Sequence, residues 1–584
     1  MDQKRLFLAI AISIAILLGF QLLLPRTRPT PVPVPVAVTS PSGGPLTAGP
    51  TPTAGGTSPA PASAPDAGTV PREVPRLAIN GPRVQGSISL LGARLDDLVL
   101  RDYRETIEPS SKLVRLLEPR ADPQPYYAQF GWSAAPGTTA KLPGADTVWT
   151  AAGEVSVNKP ATLSWDNGEG LVFEIEVALD ENYLFTVNQR VRNATAGAIS
   201  LFPWSRIRRD YTPVTAGYYI LHEGMLGVLG GTLKEVTYSS AKSEGEKKGG
   251  VAYEAPTTGG WAGITDKYWL TALVPDAAVA SQAAFRHVSE AGIDRYQVDF
   301  VTRDPEAVPA GGAAELRTRL FAGAKEVHLL DRYESAQNIT HLDKAVDFGL
   351  FYYITKPFFY AIDWLNSVLG NFGLAILVFT IFIKALFFPL ANKSYRSMSK
   401  MKLLAPKMTA LREEYKDDQP KLQQAMMQMY KNEKVNPASG CLPIVIQIPV
   451  FFSLYKVIFI TIEMRQAPFF GWIHDLSAVD PTNVFNLFGL IPFDPTSISH
   501  LLHLGAWPLM MGVTMFLQQK LNPPPPDPIQ AKVFQWMPIV FTFMLAGFPA
   551  GLVIYWSWNN LLTICQQWLI MRQTRLARPA AARV

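Results

Sequence analysis

The chain contains 584 residues, of which 48% are hydrophobic and only 17% charged, and its formal net charge is +5. This composition excludes an ordinary soluble globular protein and indicates a membrane protein that carries a large soluble part. The two cysteines, Cys441 and Cys565, both fall in apolar windows, which excludes a disulfide framework.

Six apolar windows are long enough to cross about 30 Å of hydrocarbon. They lie near 6–24, 372–390, 441–462, 501–518, 533–548 and 551–570. Lysine and arginine concentrate in the segment 391–436 and in the tail 572–584, whereas the loop 465–500 carries only Arg465. Because basic residues favour the cytoplasmic side, both termini and the segment 391–436 are predicted to be cytoplasmic. The region 25–345 is then predicted to lie outside.

The first window, within residues 1–24, predicts an N-terminal transmembrane anchor. A cleaved signal peptide is the alternative, but the window is longer than a usual signal core and no A-x-A-like site follows it directly. Residues 25–75 are rich in proline, alanine and threonine. This composition predicts a disordered linker.

Residues 76–345 show the two-residue period of half-buried strands. Phe173, Ile175 and Val177 alternate with Glu174 and Glu176, and similar patterns occur near 183–191, 296–301 and 316–321. We therefore predict a large antiparallel β-sandwich. His222-Glu223 begins like a zinc-protease motif, but no second histidine follows at the required spacing, so no metal site is predicted.

Residues 346–369 are rich in aromatic side chains and too polar to span a bilayer. The segment predicts an amphipathic helix at the outer membrane interface. A tail of the sandwich is the alternative.

Lys384 lies within the apolar run of the second window, and no Asp or Glu in that run can neutralise it. A cation at membrane depth costs roughly 2.5 to 3.5 kcal/mol by insertion scales, so it needs a partner or water. Thr380 is one helical turn earlier on the same face. We therefore predict a water-accessible, positively charged site that handles anionic or polar groups within the membrane.

The cytoplasmic segment 391–436 predicts two helices, at about 394–416 and 421–434, broken near Pro420. Its methionines are explained either by ordinary helix packing or by contact with varied apolar segments. The concentration of basic residues in this segment favours contact with anionic lipid or with ribosomal RNA during synthesis. The candidate contact residues are Lys400, Lys402, Lys407 and Arg412.

Polar side chains recur in the remaining windows, and as a set with Lys384 they predict a hydrated cavity rather than isolated interhelical hydrogen bonds. They include Gln447, Thr514, Gln518, Asn559, Asn560 and Thr563. Lys456, nearer the outer end of its window, is expected to snorkel or to pair with Glu463.

Catalytic motifs are missing from the sequence. It contains no G-x-x-x-x-G-K-[ST] loop, no H-E-x-x-H and no G-x-S-x-G, so neither nucleotide chemistry, a cofactor nor an enzyme is predicted. Matching inverted repeats are also missing, which argues against a secondary transporter.

Several strings in order between 348 and 571 resemble the YidC family of membrane protein insertases. They are NPASGCLP at 436–443, Gln447-x-Pro449-x-Phe451, RQAPF at 465–469, WIHDLS at 472–477, MGVTMF at 511–516 and FPAGL at 548–552. The sandwich between the first two windows is similar to the periplasmic domain of the Gram-negative members.

The resemblance implies a polytopic α-helical membrane protein whose core, residues 370–571, has five helices around a hydrophilic groove. Lys384 falls where the family keeps its groove cation, commonly arginine. Thr380 and Tyr555 match substrate-contacting positions, and Trp556 replaces a tyrosine usual in the family.

The implied function is insertion and folding of nascent inner-membrane proteins, alone or with the Sec translocon. The implied partners are nascent membrane proteins, the ribosome, the signal recognition pathway and anionic phospholipids, without nucleotide. Two alternatives stay open from the residues, a small-anion channel or transporter and a non-catalytic assembly chaperone of a translocon.

Overall fold

The computed structural model describes residues 74–215, 217, 221–416, 418–433, 442–499, 502–522 and 528–576. The predicted anchor 1–24, nearly all of the linker 25–75 and Cys441 lie outside these residues. So does the end of the basic tail.

The first half of the described chain is built of β-strands. The early strands are β1 (Arg76–Asn80), β2 (Val84–Ser89), β3 (Arg94–Arg104), β4 (Leu113–Leu117), β5 (Tyr126–Ala134), β6 (Thr150–Ala151), β7 (Glu154–Ser156), β8 (Ala161–Asp166), β9 (Leu171–Leu179) and β10 (Leu184–Asn193). The later ones are β11 (Ile199–Arg209), β12 (Gly224–Leu229), β13 (Thr232–Thr237), β14 (Val251–Thr258), β15 (Trp261–Thr265), β16 (Trp269–Pro275), β17 (Ala280–Glu290), β18 (Ile293–Thr302), β19 (Glu306–Val308) and β20 (Ala313–Ala324).

These strands form two sheets. One runs in the order β14-β17-β18-β11-β5-β3-β2-β1-β7, with β19 beside β11 and β4 beside β3. The other runs β13-β12-β15-β16-β20-β10-β9-β8-β6. Neighbouring strands pair antiparallel, except that β1 and β7 are parallel. The prediction of a large β-rich domain is confirmed.

The alternation in β9 shows why the sequence specifies this sheet. Every second side chain from Leu171 to Leu179 is buried, and those between are half-buried. The glutamates of the outer face lie opposite polar partners on β10: Asn188 Nδ2 donates to Glu176 Oε1 at 3.0 Å. Burial on one face and polar pairing on the other fix the register.

Ten helices are described. They are α1 (Tyr238–Lys247), α2 (Val327–Ala336), α3 (Tyr352–Leu369), α4 (Phe372–Leu386), α5 (Phe388–Glu414), α6 (Gln419–Asn432), α7 (Leu442–Ile460), α8 (Ala506–Leu521), α9 (Pro528–Leu545) and α10 (Ala550–Leu576). The helices α4 to α10 form the helical C-terminal region.

The predicted amphipathic helix corresponds to α3. It buries Thr355, Phe359 and Ile362 on one face and leaves Tyr353 and Trp364 exposed. Gly370, with φ of +68°, caps its end in the left-handed conformation that glycine adopts without strain. The position of α3 at a membrane interface stays a prediction.

The second apolar window is bent in the structure. The chain turns by 66° between Phe372–Leu386 and Phe388–Met398, where the sequence had predicted one span over 372–390. In the part of the chain that is described, no single helix is long and apolar enough to cross a bilayer, whereas this bent pair meets that test jointly.

The segment 391–436 contains two helices, as predicted, but α5 begins earlier than expected, directly after the bend. Asp418 caps α6 by accepting from the Lys421 N–H at 3.2 Å. Contacts between the helices include an ion pair of Lys407 with Glu433 at 2.7 Å.

Candidate functional site

Lys384 lies two residues before the end of α4, with its side chain half-buried among α4, α7 and α10. Its Nζ donates to Thr563 Oγ1 at 2.9 Å and lies 3.5 Å from Gln447 Oε1. Gln447 Nε2 in turn donates to the Tyr555 hydroxyl at 2.7 Å. Three helices therefore hold the ammonium through uncharged groups.

No carboxylate lies within 4.0 Å of Lys384 Nζ among the described residues. Neutral acceptors solvate an ammonium without cancelling its charge. The site is thus able to attract a negatively charged group, and its low-dielectric surroundings strengthen that attraction.

A polar stripe on α10 continues from this ammonium. Tyr555, Asn559, Thr563 and Gln567 recur every four residues on one helical face, and all four are buried. Asn559 Oδ1 and Gln567 Oε1 are buried without a hydrogen-bond partner in the described structure. Asn559 and Thr563 were predicted to belong to the hydrated set around Lys384 but not to contact the substrate, and Gln567 was not predicted, although the four-residue spacing marks the stripe in the sequence.

Asn560 connects the stripe to α8, since its Nδ2 donates to Thr514 Oγ1 at 3.3 Å. Gln518 is half-buried one turn after Thr514 on the same helix. The structure thus places predicted residues from α4, α7, α8 and α10 around one polar region.

Two of the predicted contact residues, Thr380 and Trp556, have partners outside the polar region around Lys384. Thr380 is buried and donates its hydroxyl to the Ile376 carbonyl at 2.7 Å, so this bond stays within α4. Trp556 packs edge to face on Phe451, with ring centroids 4.6 Å apart, and also contacts Phe541. It lies against an aromatic cluster between α7 and α9.

The contact residues predicted in the segment 391–436 all lie on α5. Lys400 and Lys407 are exposed and Arg412 is half-buried. The backbone of Lys402 is helical, while its side chain is outside the described part. None of these placements tests a role in binding.

The ion pairing of Lys456, near the C-terminal end of α7, differs from the prediction. Lys456 Nζ pairs with Asp347 Oδ2 at 2.8 Å and also donates to the Asp347 carbonyl at 3.0 Å. Glu463, the partner considered from the sequence, instead accepts from the Val327 N–H at 2.9 Å. Asp347 is more than 100 residues from Lys456 in the sequence, so no local pattern pointed to it.

One group of possible metal ligands occurs among the described residues. Single ligand atoms of Glu334, His341 and Asp343 lie within 4.8 Å of one another. Asp343 already accepts from Lys356 Nζ at 2.6 Å. An ammonium at that distance repels a second cation, so these residues fit a metal ion poorly.

Comparison with known proteins identifies the chain. A family model described as the YidC periplasmic domain matches residues 76–361, and one described as the 60Kd inner membrane protein matches residues 364–577. Together they cover most of the chain. The chain belongs to the YidC family of membrane protein insertases.

Two relatives of high sequence identity agree with this assignment. The membrane protein insertase YidC of Granulibacter bethesdensis is 61% identical, over 88% of this chain and 89% of the relative. That of Acidiphilium cryptum is 54% identical, over 87% and 86%. A crystal structure of an active YidC insertase with its first transmembrane domain resolved covers 85% of this chain and 92% of its own, at 17% identity and a TM-score of 0.34.

The chain is therefore a membrane protein insertase of the inner membrane, with a β-rich periplasmic domain and a helical C-terminal region. It is not an enzyme, and its substrates are nascent membrane proteins. These matches do not favour the alternatives of an anion channel or a purely structural chaperone.

Proposed function

We propose that nascent membrane proteins pass a polar segment into a hydrophilic groove, open to the cytoplasm and to lipid, with Lys384 as its central cation. The observation that supports this most directly is that Lys384 Nζ has neutral partners on α7 and α10 and no carboxylate within 4.0 Å in the described structure. Such an ammonium is available for an acidic group of the substrate.

The groove lowers an energetic barrier. A charged residue of a translocated tail costs several kcal/mol at the bilayer centre, and a wet groove reaching part-way shortens the distance over which this applies. The proposed substrate contacts include residues of the polar region around Lys384. They are Thr380, Gln447, Thr514, Gln518, Tyr555, Trp556 and Asn560.

Release of the substrate follows from its apolar segment. Exposed apolar side chains cover the outer faces of α7 and α9, among them Val445, Phe452 and Ile539. We propose that the segment partitions into lipid along these faces, with about 25 cal/mol gained per Å² of buried apolar surface. The membrane potential assists the outward movement of acidic tails.

The proposed topology has six spans, one N-terminal and five in a conserved core, with both termini in the cytoplasm. The asymmetric distribution of lysine and arginine supports it. The basic hairpin of α5 and α6 is then cytoplasmic, where Lys400, Lys402, Lys407 and Arg412 are the proposed first contacts. Proposed partners at this face are the ribosome, the signal recognition pathway, the Sec translocon and anionic lipid.

Replacing Lys384 tests the proposal. Insertion of single-span substrates with acidic or neutral tails is measured in proteoliposomes containing full-length variants. We expect Lys384→Ala to slow insertion of the acidic-tail substrate about tenfold, the equivalent of ~1.4 kcal/mol, and Lys384→Arg to retain it because the charge is kept. The neutral-tail substrate is expected to change less.

Lys520→Ala is the matched control, since Lys520 is an exposed lysine near the end of α8. Equal insertion by the wild type, the Ala variant and the Arg variant would contradict the role of Lys384. Anion flux through the reconstituted protein without insertion would support a channel instead.

A further inference from the structure

A cavity of about 640 Å³ lies between the β-rich domain and the helical region. Its walls come from the β12–β13 hairpin, the segment leading into α3 and the outer half of α7. Pockets of roughly 300–1,000 Å³ are typical of small-molecule sites. The cavity is separate from the polar region around Lys384.

The polar wall of the cavity carries both signs of charge. Lys456 is paired with Asp347 at 2.8 Å, while Glu235 also lines the cavity and has no cation within 4.0 Å among the described residues. Burial lowers the pKa of His222, which favours its neutral form at pH 7. Among the residues that line the cavity, two carboxyl groups therefore accompany one ammonium, and that of Glu235 has no ion-pair partner there.

The backbone at Gly349 makes room for the Lys456 side chain. Gly349 has a φ of +72°, and a Cβ at this position would lie 2.8 Å from Lys456 Cε. Glycine thus lets the lysine side chain pass close to the main chain and present its ammonium at the cavity wall.

The other wall is apolar and continues onto the outer surface of the helices. Leu350, Ile448 and Phe452 line the cavity and are 93%, 46% and 42% exposed. Their exposure joins the charged wall to a surface suited to hydrocarbon. An occupant of this site therefore has a polar head with charges of both signs and an apolar tail.

We propose that this cavity binds a zwitterionic phospholipid with a primary ammonium in its head group, the ammonium at Glu235, the phosphate at Lys456 and an acyl chain along Phe452. The proposal rests on the proposed topology, which places this end of α7 at the outer leaflet. A lysine of a nascent chain is the less suitable ammonium, because the outward ends of membrane spans are poor in lysine.

Photolabelling of the full-length protein in nanodiscs tests the site. The probes are phosphatidylethanolamine and phosphatidylglycerol analogues with a diazirine near the start of one acyl chain, and labelled peptides are identified by mass spectrometry. We expect the ethanolamine probe to label the start of α3 and the outer half of α7, about fivefold more than the glycerol probe.

Two variants perturb the two walls separately. Glu235→Gln is expected to abolish the preference between probes while leaving the Lys456–Asp347 pair, and Phe452→Trp to reduce labelling by both probes by filling the cavity. The matched controls are Glu246→Gln and Phe516→Trp, at exposed positions away from the cavity. Equal labelling by both probes in the wild type, or labelling unaffected by both variants, would overturn the proposal.

Insertion by Glu235→Gln separates this inference from the function proposed for Lys384, because Glu235 is not among the residues proposed to contact the substrate. Loss of lipid preference with normal Lys384-dependent insertion supports the lipid site independently of that function. Absent labelling in a chain whose insertion still depends on Lys384 overturns the lipid site alone.

Discussion

The charge on Lys384 is kept available by the chemistry of its partners. An Asp or Glu in place of Thr563 or Gln447 would form an ion pair and neutralise the ammonium. A hydroxyl at 2.9 Å and an amide oxygen at 3.5 Å instead compensate only part of the desolvation. Water reaching the ammonium from the cytoplasm supplies the rest in the proposed groove.

We predict that water reaches the surroundings of Lys384 from the cytoplasmic side. In a chain with Cys441 and Cys565 replaced by Ser, we expect Gln447→Cys to react with a charged, membrane-impermeant thiol reagent added from the cytoplasmic side. The physical reason is that Gln447 lies 3.5 Å from the ammonium, within the proposed wet groove. Labelling is measured by the mass shift of the intact protein.

Phe382→Cys supplies the control on a lipid-facing surface. Phe382 is 62% exposed on α4, and in a bilayer that exposure is to hydrocarbon in the proposed topology. We expect it to react slowly, because a charged reagent does not enter lipid. If Gln447→Cys also stays unlabelled from the cytoplasmic side, the groove is not wet and the proposed function has no basis.

The bend after α4 has a local cause that hydrophobicity does not reveal. Pro389 lies in the first turn of α5, and proline has no N–H to continue the hydrogen bonds of α4. Phe387 ends α4 with its N–H directed to Ile383 and Ala385 carbonyls. The apolar run continues past Phe387 and Pro389, so hydrophobicity alone predicted one straight span.

The strands were predictable because their signal is local. Burial alternates along β9 as the residue types do, and the neighbouring strand β10 follows after a short turn. Contacts between distant segments gave no such signal. The partner of Lys456 was left open between solvent and Glu463, whereas the structure pairs it with Asp347, in the segment before α3. Likewise Thr563 was recognised as polar, but not as the residue that contacts Lys384.

The contact between α8 and α9 gives a prediction for helix packing. A Cβ added at Gly512 would lie 2.1 Å from Thr542 Oγ1, and small residues allow such close approach of membrane helices. We expect Gly512→Ala to lower the free energy of unfolding by about 1–3 kcal/mol, the usual cost of overpacking. Unfolding in detergent with increasing denaturant measures it.

Two further variants make that test specific. Gly512→Ala with Thr542→Ala is expected to recover most of the loss, because the clashing hydroxyl is removed. Gly547→Ala is the control, since a Cβ there would meet nothing within 4 Å. An equal loss for Gly512→Ala and Gly547→Ala would show that helix separation is not the cause.

The β-rich domain and the helices share one buried apolar cluster. It runs from strand residues such as Leu77 through α2 and α3 to Tyr555. Polar contacts reinforce the junction. Arg465 donates to the Arg104 carbonyl at 2.5 Å, and Lys356 pairs with Asp331 at 2.9 Å. The β-rich domain is thereby coupled to the helices rather than tethered by a flexible chain.

We expect Glu463 to make the stability of this junction depend on pH. Its carboxylate follows the end of α7, accepts from the Val327 N–H of α2 and leaves Oε2 buried without a hydrogen-bond partner in the described structure. The pKa of Glu463 is raised from its ordinary 4.5 to about 7, mainly by burial and also by the nearby Glu326 and Asp363 carboxylates, although the hydrogen bond from the Val327 N–H acts in the opposite direction. The folded chain therefore binds this proton more tightly than the unfolded chain does.

The sign of the pH dependence follows from that difference. The stabilisation is fully present below pH 4.5 and is lost as the pH rises through about 7, with a total change of roughly 3 kcal/mol.

The variant Glu463→Gln tests this dependence, because its amide stays uncharged at every pH. We expect it to unfold at a higher temperature than the wild type at pH 8, but at a similar temperature at pH 5. Thermal unfolding of the full-length protein in nanodiscs, followed by tryptophan fluorescence between pH 5 and 8, measures this, with the exposed Glu246→Gln as control. A difference between wild type and Glu463→Gln that does not change with pH would mean that the carboxyl is not protonated in the folded junction, since only a proton lost between those pH values makes the two chains diverge.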